Sequence, residues 1–257
     1  MTPPSRSLAG MRILIVGGGG GGIGSAITRH LASLGARLAI ADIDSTRVSD
    51  AAAEVAAAGG TAAGFPVDVR DAAQLTQLVA ETVAAFGGID AVVTVVGGQV
   101  AFVPSARLHE MRDEDWDTMY EINLRYVARL IRLVLPHFLA QKHGVIVSVG
   151  SVTGFMGAPG QGAYGVMKAG LASLARTVGA EYAADGIRMN VVAGGAISTP
   201  VANSDAADWI DEIPMGRTGT PDEVAAAVAY LCSSESRYMT GQQIVIDGGV
   251  SSRGPFH

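Results

Sequence analysis

Apolar residues fall along this chain in short blocks separated by longer periodic stretches. In Arg12-Ile-Leu-Ile-Val16 the four residues after the arginine form an unbroken apolar run, the pattern of a strand buried on both faces of a parallel sheet. Past a glycine tract, Ile23, Ile27, Leu31 and Leu34 recur at helical spacing, and Gly35 supplies a stop. Residues 38–41 form a second apolar run that ends at Asp42. The pattern then predicts a helix over 45–58, a strand over 61–67, a helix over 71–86 and a strand over 89–96. After a connecting segment come a helix over 113–141, a strand over 144–150 and a helix over 161–184. A strand over 187–193, a helix over 221–233 and a strand over 242–247 complete the series. Seven strands separated by helices predict an α/β fold: a doubly wound, mainly parallel seven-stranded sheet with helices on both faces. No linker or charge block divides the chain, so residues 1–257 read as a single domain with a flexible N-terminus over 1–10.

Composition narrows the partners. A hydrophobic content of 49% and a mean hydropathy of +0.32 call for a well-buried core and argue against disorder. The net charge of −6 gives no support for nucleic acid or an acidic membrane as partner. Cys232 is the only cysteine, which excludes an intrachain disulfide and a cysteine-cluster metal site. Residues 1–10 lack the apolar stretch of a signal peptide, and no apolar run has the length of a membrane span. These features lead us to expect a cytoplasmic protein with no metal.

Residues 17–22 are six consecutive glycines. Strand, glycine turn, helix is the setting in which such a tract binds a pyrophosphate: the turn is tight, the backbone approaches closely, and helix N–H groups face the charge. Two registers fit, Gly17-x-Gly19-x-x-Gly22 and Gly18-x-x-x-Gly22-x-Gly24. The second is preferred because it puts Ile23-Gly24 where the helix begins; Gly19, Gly20 and Gly21 are then read as permissive. Asp42 ends the second strand, where a carboxylate accepts hydrogen bonds from ribose hydroxyls and repels a 2′-phosphate. Ile43 follows it and the loop carries no basic residue, so NAD is favoured over NADP.

Tyr164 and Lys168 lie four residues apart on one helix face. A neighbouring ammonium lowers a phenol's pKa, making it usable for acid–base work on an alcohol or ketone. Ser151 sits at the end of the GVIVSVG strand, where α/β sheets place ligands. Asn123 lies mid-helix, against its propensity.

In these motifs the chain resembles the short-chain dehydrogenase/reductase family, in its compact single-domain branch, from Arg12 to Gly249. The resemblance implies a Rossmann-type fold, with Gly18, Gly22, Ile23 and Gly24 in the cofactor loop and Asp68-Val69 at the adenine. It implies a catalytic tetrad of Asn123, Ser151, Tyr164 and Lys168. Tyr164 would be the acid/base, Ser151 would orient the substrate oxygen, and Lys168 would bind the nicotinamide ribose and tune Tyr164. Asn123 would hold a water in a proton relay. Gly97 would line the cofactor, and Ile197 and Thr199 would meet the carboxamide. A homo-oligomer, dimer or tetramer, is the family's default.

Three positions depart from the family pattern. Gly17 stands for a threonine, Thr94-Val-Val-Gly97 for Asn-Asn-Ala-Gly, and Gly194-Gly195 for Pro-Gly. The first two lead us to expect a less preorganised loop, with the Thr94 hydroxyl as substitute tether. Gln99, Val100, Thr153, Met156 and Gln161, with Val201, Trp209 and Met215 on a covering loop, are the expected substrate-facing residues. They include no Arg or Lys, so a neutral or apolar secondary alcohol or ketone is expected. The alternatives are an NADPH-dependent 3-oxoacyl thioester reductase on the same fold and, more remotely, a non-catalytic NAD-binding sensor.

Overall fold

A computed structural model of the chain describes residues 7–200 and 210–253. Seven strands form one sheet in the order β3-β2-β1-β4-β5-β6-β7. They are β1 (Arg12–Val16), β2 (Arg37–Asp42), β3 (Thr61–Pro66), β4 (Ala91–Thr94), β5 (Gly144–Ser151), β6 (Ile187–Gly194) and β7 (Gln243–Ile246). All six pairings are parallel.

The apolar runs follow from two-sided burial. Leu14 and Val16 of β1 enter a core with α3 (Ala72–Phe86), α5 (Tyr126–Gln141) and α6 (Gly162–Tyr182). Ile13 and Ile15 enter a second core with α1 (Ile23–Ser33), α2 (Ser45–Ala57) and α7 (Pro221–Cys232). Successive residues of a strand face opposite sides, so a strand covered on both must be apolar throughout. Leu8 is 1% exposed and packs into the second core, so the chain is already docked within the 1–10 stretch expected to be loose.

Helix ends follow their chemistry. Asp44 caps α2 and Asp71 caps α3 through their carboxylates, while Thr220, Pro221 and Glu223 form a capping box with proline at the start of α7.

The stretch 113–141 is not one regular helix. It comprises α4 (Asp113–Tyr120), a wide π turn over Glu121–Arg125, and α5. The Tyr126 N–H reaches back to Glu121 O, five residues away. Such turns are frequent at functional sites. Across it the packing changes: Met119 and Ile122 join Ala163 and Met167 of α6, whereas Tyr126, Val127 and Leu130 enter the main core. No helix among the described residues is long and apolar enough to cross a membrane.

Candidate active site

β1 and β4 are neighbours in the sheet, and chain direction reverses its lateral walk between them. That makes their C-terminal ends the switch point where doubly wound sheets bind ligands. The glycine tract leaves β1 here. The Gly17 and Gly18 N–H groups donate to Ala41 O at 2.7 and 3.2 Å. Gly22, at φ 87°, precedes α1 with no side-chain cap, so the first helix amides are presented to a ligand. A Cβ on Gly24 would lie 2.0 Å from Gly17 O; no other residue fits.

Three expectations about this loop change. Gly19 is not filler, because a Cβ there would meet the Arg47 backbone at 3.1 Å and Asp42 Cβ at 3.2 Å. At Gly20 and Gly21 the nearest atoms are at ordinary contact, 3.4 and 3.6 Å. Gly17 adopts φ 94° and its Cβ would lie 2.8 Å from Val96 N, so threonine does not fit in this conformation. Nor does Thr94 tether the loop: its hydroxyl donates to Ser148 Oγ at 2.8 Å. The tether is Thr28 of α1. It is 1% exposed and donates from Oγ1 to Gly18 O at 2.9 Å.

Asp42 is 9% exposed at the end of β2, with its carboxylate beside Gly20. Asp68 pairs with Arg70 at 2.6 Å, and that hydrogen bond holds its carboxyl below the usual range. Val69 is buried.

The tetrad residues converge from three elements. Ser151 ends β5, Tyr164 and Lys168 lie on α6, and Asn123 lies in the wide turn. Asn123 is fully buried. It accepts from Gly98 N at 3.0 Å and donates to Gly98 O at 3.1 Å, fixing the segment beyond β4. Three residues on, the Tyr126 hydroxyl donates to Val96 O at 2.8 Å. Gly97 is held between these two clamps. A Cβ on it would sit 2.5 Å from Asn123 Oδ1 and 3.1 Å from Lys168 Nζ.

Lys168 Nζ donates to Val149 O at 3.0 Å and stands 5.5 Å from the Tyr164 ring centre. Burial lowers its pKa to about 8. Tyr164 departs from expectation: burial raises its phenol above the ordinary value, with only partial opposition from the Ser151 hydrogen bond. A lysine that burial has itself pushed toward neutrality exerts less pull on the phenol than the spacing suggested. The Tyr164 phenol is thus shifted toward its protonated form.

Ile197 bridges to Gly219. Thr199 and Pro200 lie opposite the glycine loop, 3.1 and 3.5 Å from where a Gly22 Cβ would be. Gly195, next to the departure at Gly194, has no room for a side chain, since a Cβ would sit 2.8 Å from Asp247 Cα.

Among the expected substrate contacts, Gln99 is 5% exposed and donates from Nε2 to Gly160 O at 2.8 Å. It joins the loops after β4 and β5. Val100 and Met215 are exposed, and Met156 and Gln161 are half-buried. Thr153 bonds Ser151 rather than standing free. Val201 and Trp209 lie outside the described residues. Sequence reading passed over Thr28 and Tyr126, and took Thr153 for a substrate contact rather than a partner of Ser151. Thr28 carried a signal, a polar residue four beyond Gly24 on the helix's buried side.

Over residues 18–251 the chain matches the family model described as Enoyl-(Acyl carrier protein) reductase. It belongs to the short-chain dehydrogenase/reductase family. This family member is 35% identical over 243 residues to the 3-oxoacyl-(acyl-carrier-protein) reductase FabG of Thermotoga maritima, covering 93% of this chain and 97% of that one. It is also 35% identical over 245 residues to the cis-4-hydroxycyclohexanecarboxylate dehydrogenase of Sinomonas cyclohexanicum, covering 94% and 97%. A solved dehydrogenase/reductase from Sinorhizobium meliloti 1021 superposes with a TM-score of 0.88 at 32% identity, covering 96% and 97%. Family membership makes the chain an oxidoreductase that works with a nicotinamide cofactor.

Proposed function

We propose that this chain is an NAD-dependent oxidoreductase transferring hydride between nicotinamide and a secondary alcohol or ketone with a neutral or apolar body. The observation that carries the cofactor choice is the Asp42 carboxylate, buried at the end of β2 against Gly19 and Gly20. A 2′-phosphate there would face a desolvated negative charge. The loop fits a dinucleotide by its bare Cα atoms and uncapped helix start. Gly18, Gly22, Ile23 and Gly24 would hold the pyrophosphate, Asp42 the ribose, and Asp68 and Val69 the adenine. Gly97, Tyr164, Lys168, Ile197 and Thr199 would hold the nicotinamide half.

Bound nicotinamide supplies the hydride donor or acceptor. This chain's residues handle the proton. Tyr164, its phenol shifted toward the protonated form by burial, gives its proton to a carbonyl oxygen as that oxygen gains negative charge, which suits reduction. Ser151 donates a second hydrogen bond to the same oxygen. Lys168, near its pKa, returns a proton to Tyr164, resupplied from solvent through a water that Asn123 would hold. Assembly as a homo-oligomer is part of this proposal.

The second reading is an NADPH-dependent 3-oxoacyl thioester reductase. The FabG relatives favour it, and so does Arg47, whose backbone borders Gly19. The Arg47 guanidinium, however, faces Asp44 at 3.6 Å. Initial rates with NADH and NADPH over a panel of ketones and one 3-oxoacyl thioester separate the two. We expect higher kcat/KM with NADH, and a narrowed preference in Asp42→Ala. Equal efficiency with both cofactors in the wild type would refute the Asp42 reasoning. Tyr164→Phe should lose turnover and keep dinucleotide binding.

A further inference from the structure

Ser151 has one O–H to give and two lone pairs to fill. Two donors from one residue occupy those lone pairs: Thr153 N at 3.3 Å and Thr153 Oγ1 at 3.0 Å. The Ser151 proton is thereby left for the remaining neighbour, the Tyr164 phenol, whose pKa a Ser151 donor lowers against the rise from burial, or for a substrate oxygen placed beside both.

The position of Thr153 is itself built in. It lies in the 3-10 turn Val152–Gly154 that follows β5. That turn is seated on α6 at two bare positions. A Cβ on Gly154 would lie 2.9 Å from Lys168 C and Ala169 N, and one on Gly165 would lie 2.8 Å from Thr153 O. The turn therefore touches the helix beside both Tyr164 and Lys168, and Thr153 cannot drift from Ser151 without unseating it.

We propose that Thr153 is a positioning residue that fixes the polarity of the Ser151 hydroxyl, so that Ser151 always donates toward the reacting oxygen. The chain of donation runs Thr153 Oγ1 to Ser151 Oγ to Tyr164 Oη, or to the substrate oxygen once bound. Hydrogen bonds in such a chain strengthen one another. Without the Thr153 hydroxyl, one lone pair of Ser151 is free to accept from the Tyr164 O–H, and the serine spends part of its time turned the wrong way. Its part in turnover rests on the oxidoreductase reading above; the hydroxyl chain itself does not.

The test compares Thr153→Val with Thr153→Ser in the full chain. Thr153→Val should lower kcat about three- to tenfold, the range of one hydrogen bond, with dinucleotide Kd unchanged. The pH limb belonging to Tyr164 should move to higher pH, and Thr153→Ser should restore both. Independently of any turnover, NMR of protein labelled at the hydroxyl-bearing carbon of tyrosine reads the Tyr164 titration, assigned by its loss in Tyr164→Phe. That titration should move up in Thr153→Val and return in Thr153→Ser. An unchanged titration in Thr153→Val overturns the proposal, as does failure of Thr153→Ser to restore it. If Thr153→Val does not fold, Thr153→Ala carries the same comparison. A wild type with no nicotinamide-dependent turnover, but with the titration shifting as described, sinks the oxidoreductase reading and leaves the hydroxyl chain standing.

Discussion

Replacing Thr28 by valine removes one buried hydroxyl and little else. Thr28 Oγ1 sits 2.9 Å from Gly18 O, and both residues are buried. Leaving that carbonyl without its donor costs about 1–3 kcal/mol. The methyl that takes the hydroxyl's place recovers about 0.8 kcal/mol of burial, so the net loss should be at most about 2 kcal/mol. At roughly 2–4 °C per kcal/mol for a chain of this size, Tm should drop by a few degrees. The effect should be larger on binding than a distant mutation of equal cost, because Gly18 opens the cofactor loop. We expect Kd for the dinucleotide, titrated by nicotinamide fluorescence, to weaken several-fold. Thr28→Ser, which keeps the donor, should lose stability but hold affinity. If Thr28→Val matches the wild type in both urea unfolding and Kd, the loop is not tethered from α1.

Two further perturbations test other parts of the structure. Burial alone would raise the Asp90 carboxyl, but bonds from the Arg12 side chain and N–H, with His143, outweigh it and bring the pKa to about 2. The folded value is depressed, so this contribution, about 2 kcal/mol, is complete above the ordinary carboxylate range and fades as pH falls toward about 2. Asp90→Asn should therefore be less stable than wild type at neutral pH, with the gap closing in acid; a gap constant with pH in urea unfolding would count against the pairing. Gly97→Ala places a Cβ 2.5 Å from Asn123 Oδ1 at φ 149°. Strain of about 1–3 kcal/mol and displacement of Lys168 should cut kcat roughly tenfold or more, and an active Gly97→Ala would show that the clamp around Gly97 is slack.

The sheet was legible because two-sided burial writes itself as unbroken apolar runs, and each predicted strand is present. Its edges were less so. The run 89–96 overstates β4, which ends at Thr94, because Tyr126 and Asn123 draw Val96 and Gly98 out of the ladder. Order and spacing were enough to expect Asn123, Ser151, Tyr164 and Lys168 together, but not the direction in which the Tyr164 pKa is shifted. Spacing shows the nearby lysine, whereas the desolvation that raises the phenol depends on the packing of the whole site. Likewise Thr94 and Gly17 were read as a linked pair because both depart from the family pattern. In the fold the Thr94 hydroxyl turns toward Ser148 and Gly17 has no space for a side chain, neither of which follows from the pattern.

The wide turn at Glu121–Arg125 also bears on which changes of chain length this protein can absorb. One extra residue in a turn offsets the two flanking helices by about 100° of rotation. That offset lets Met119 and Ile122 address α6 while Tyr126 and Leu130 address the sheet. Deleting a single residue here would bring the helices into phase and turn one set of side chains away from its partners. Arg125 is solvent-exposed, and a substitution there gives up only surface contacts with Glu121 and the Tyr120 ring, yet its removal would swing Asn123 away from Gly98 or Tyr126 away from Val96. The segment tolerates a change of letter far better than a change of count.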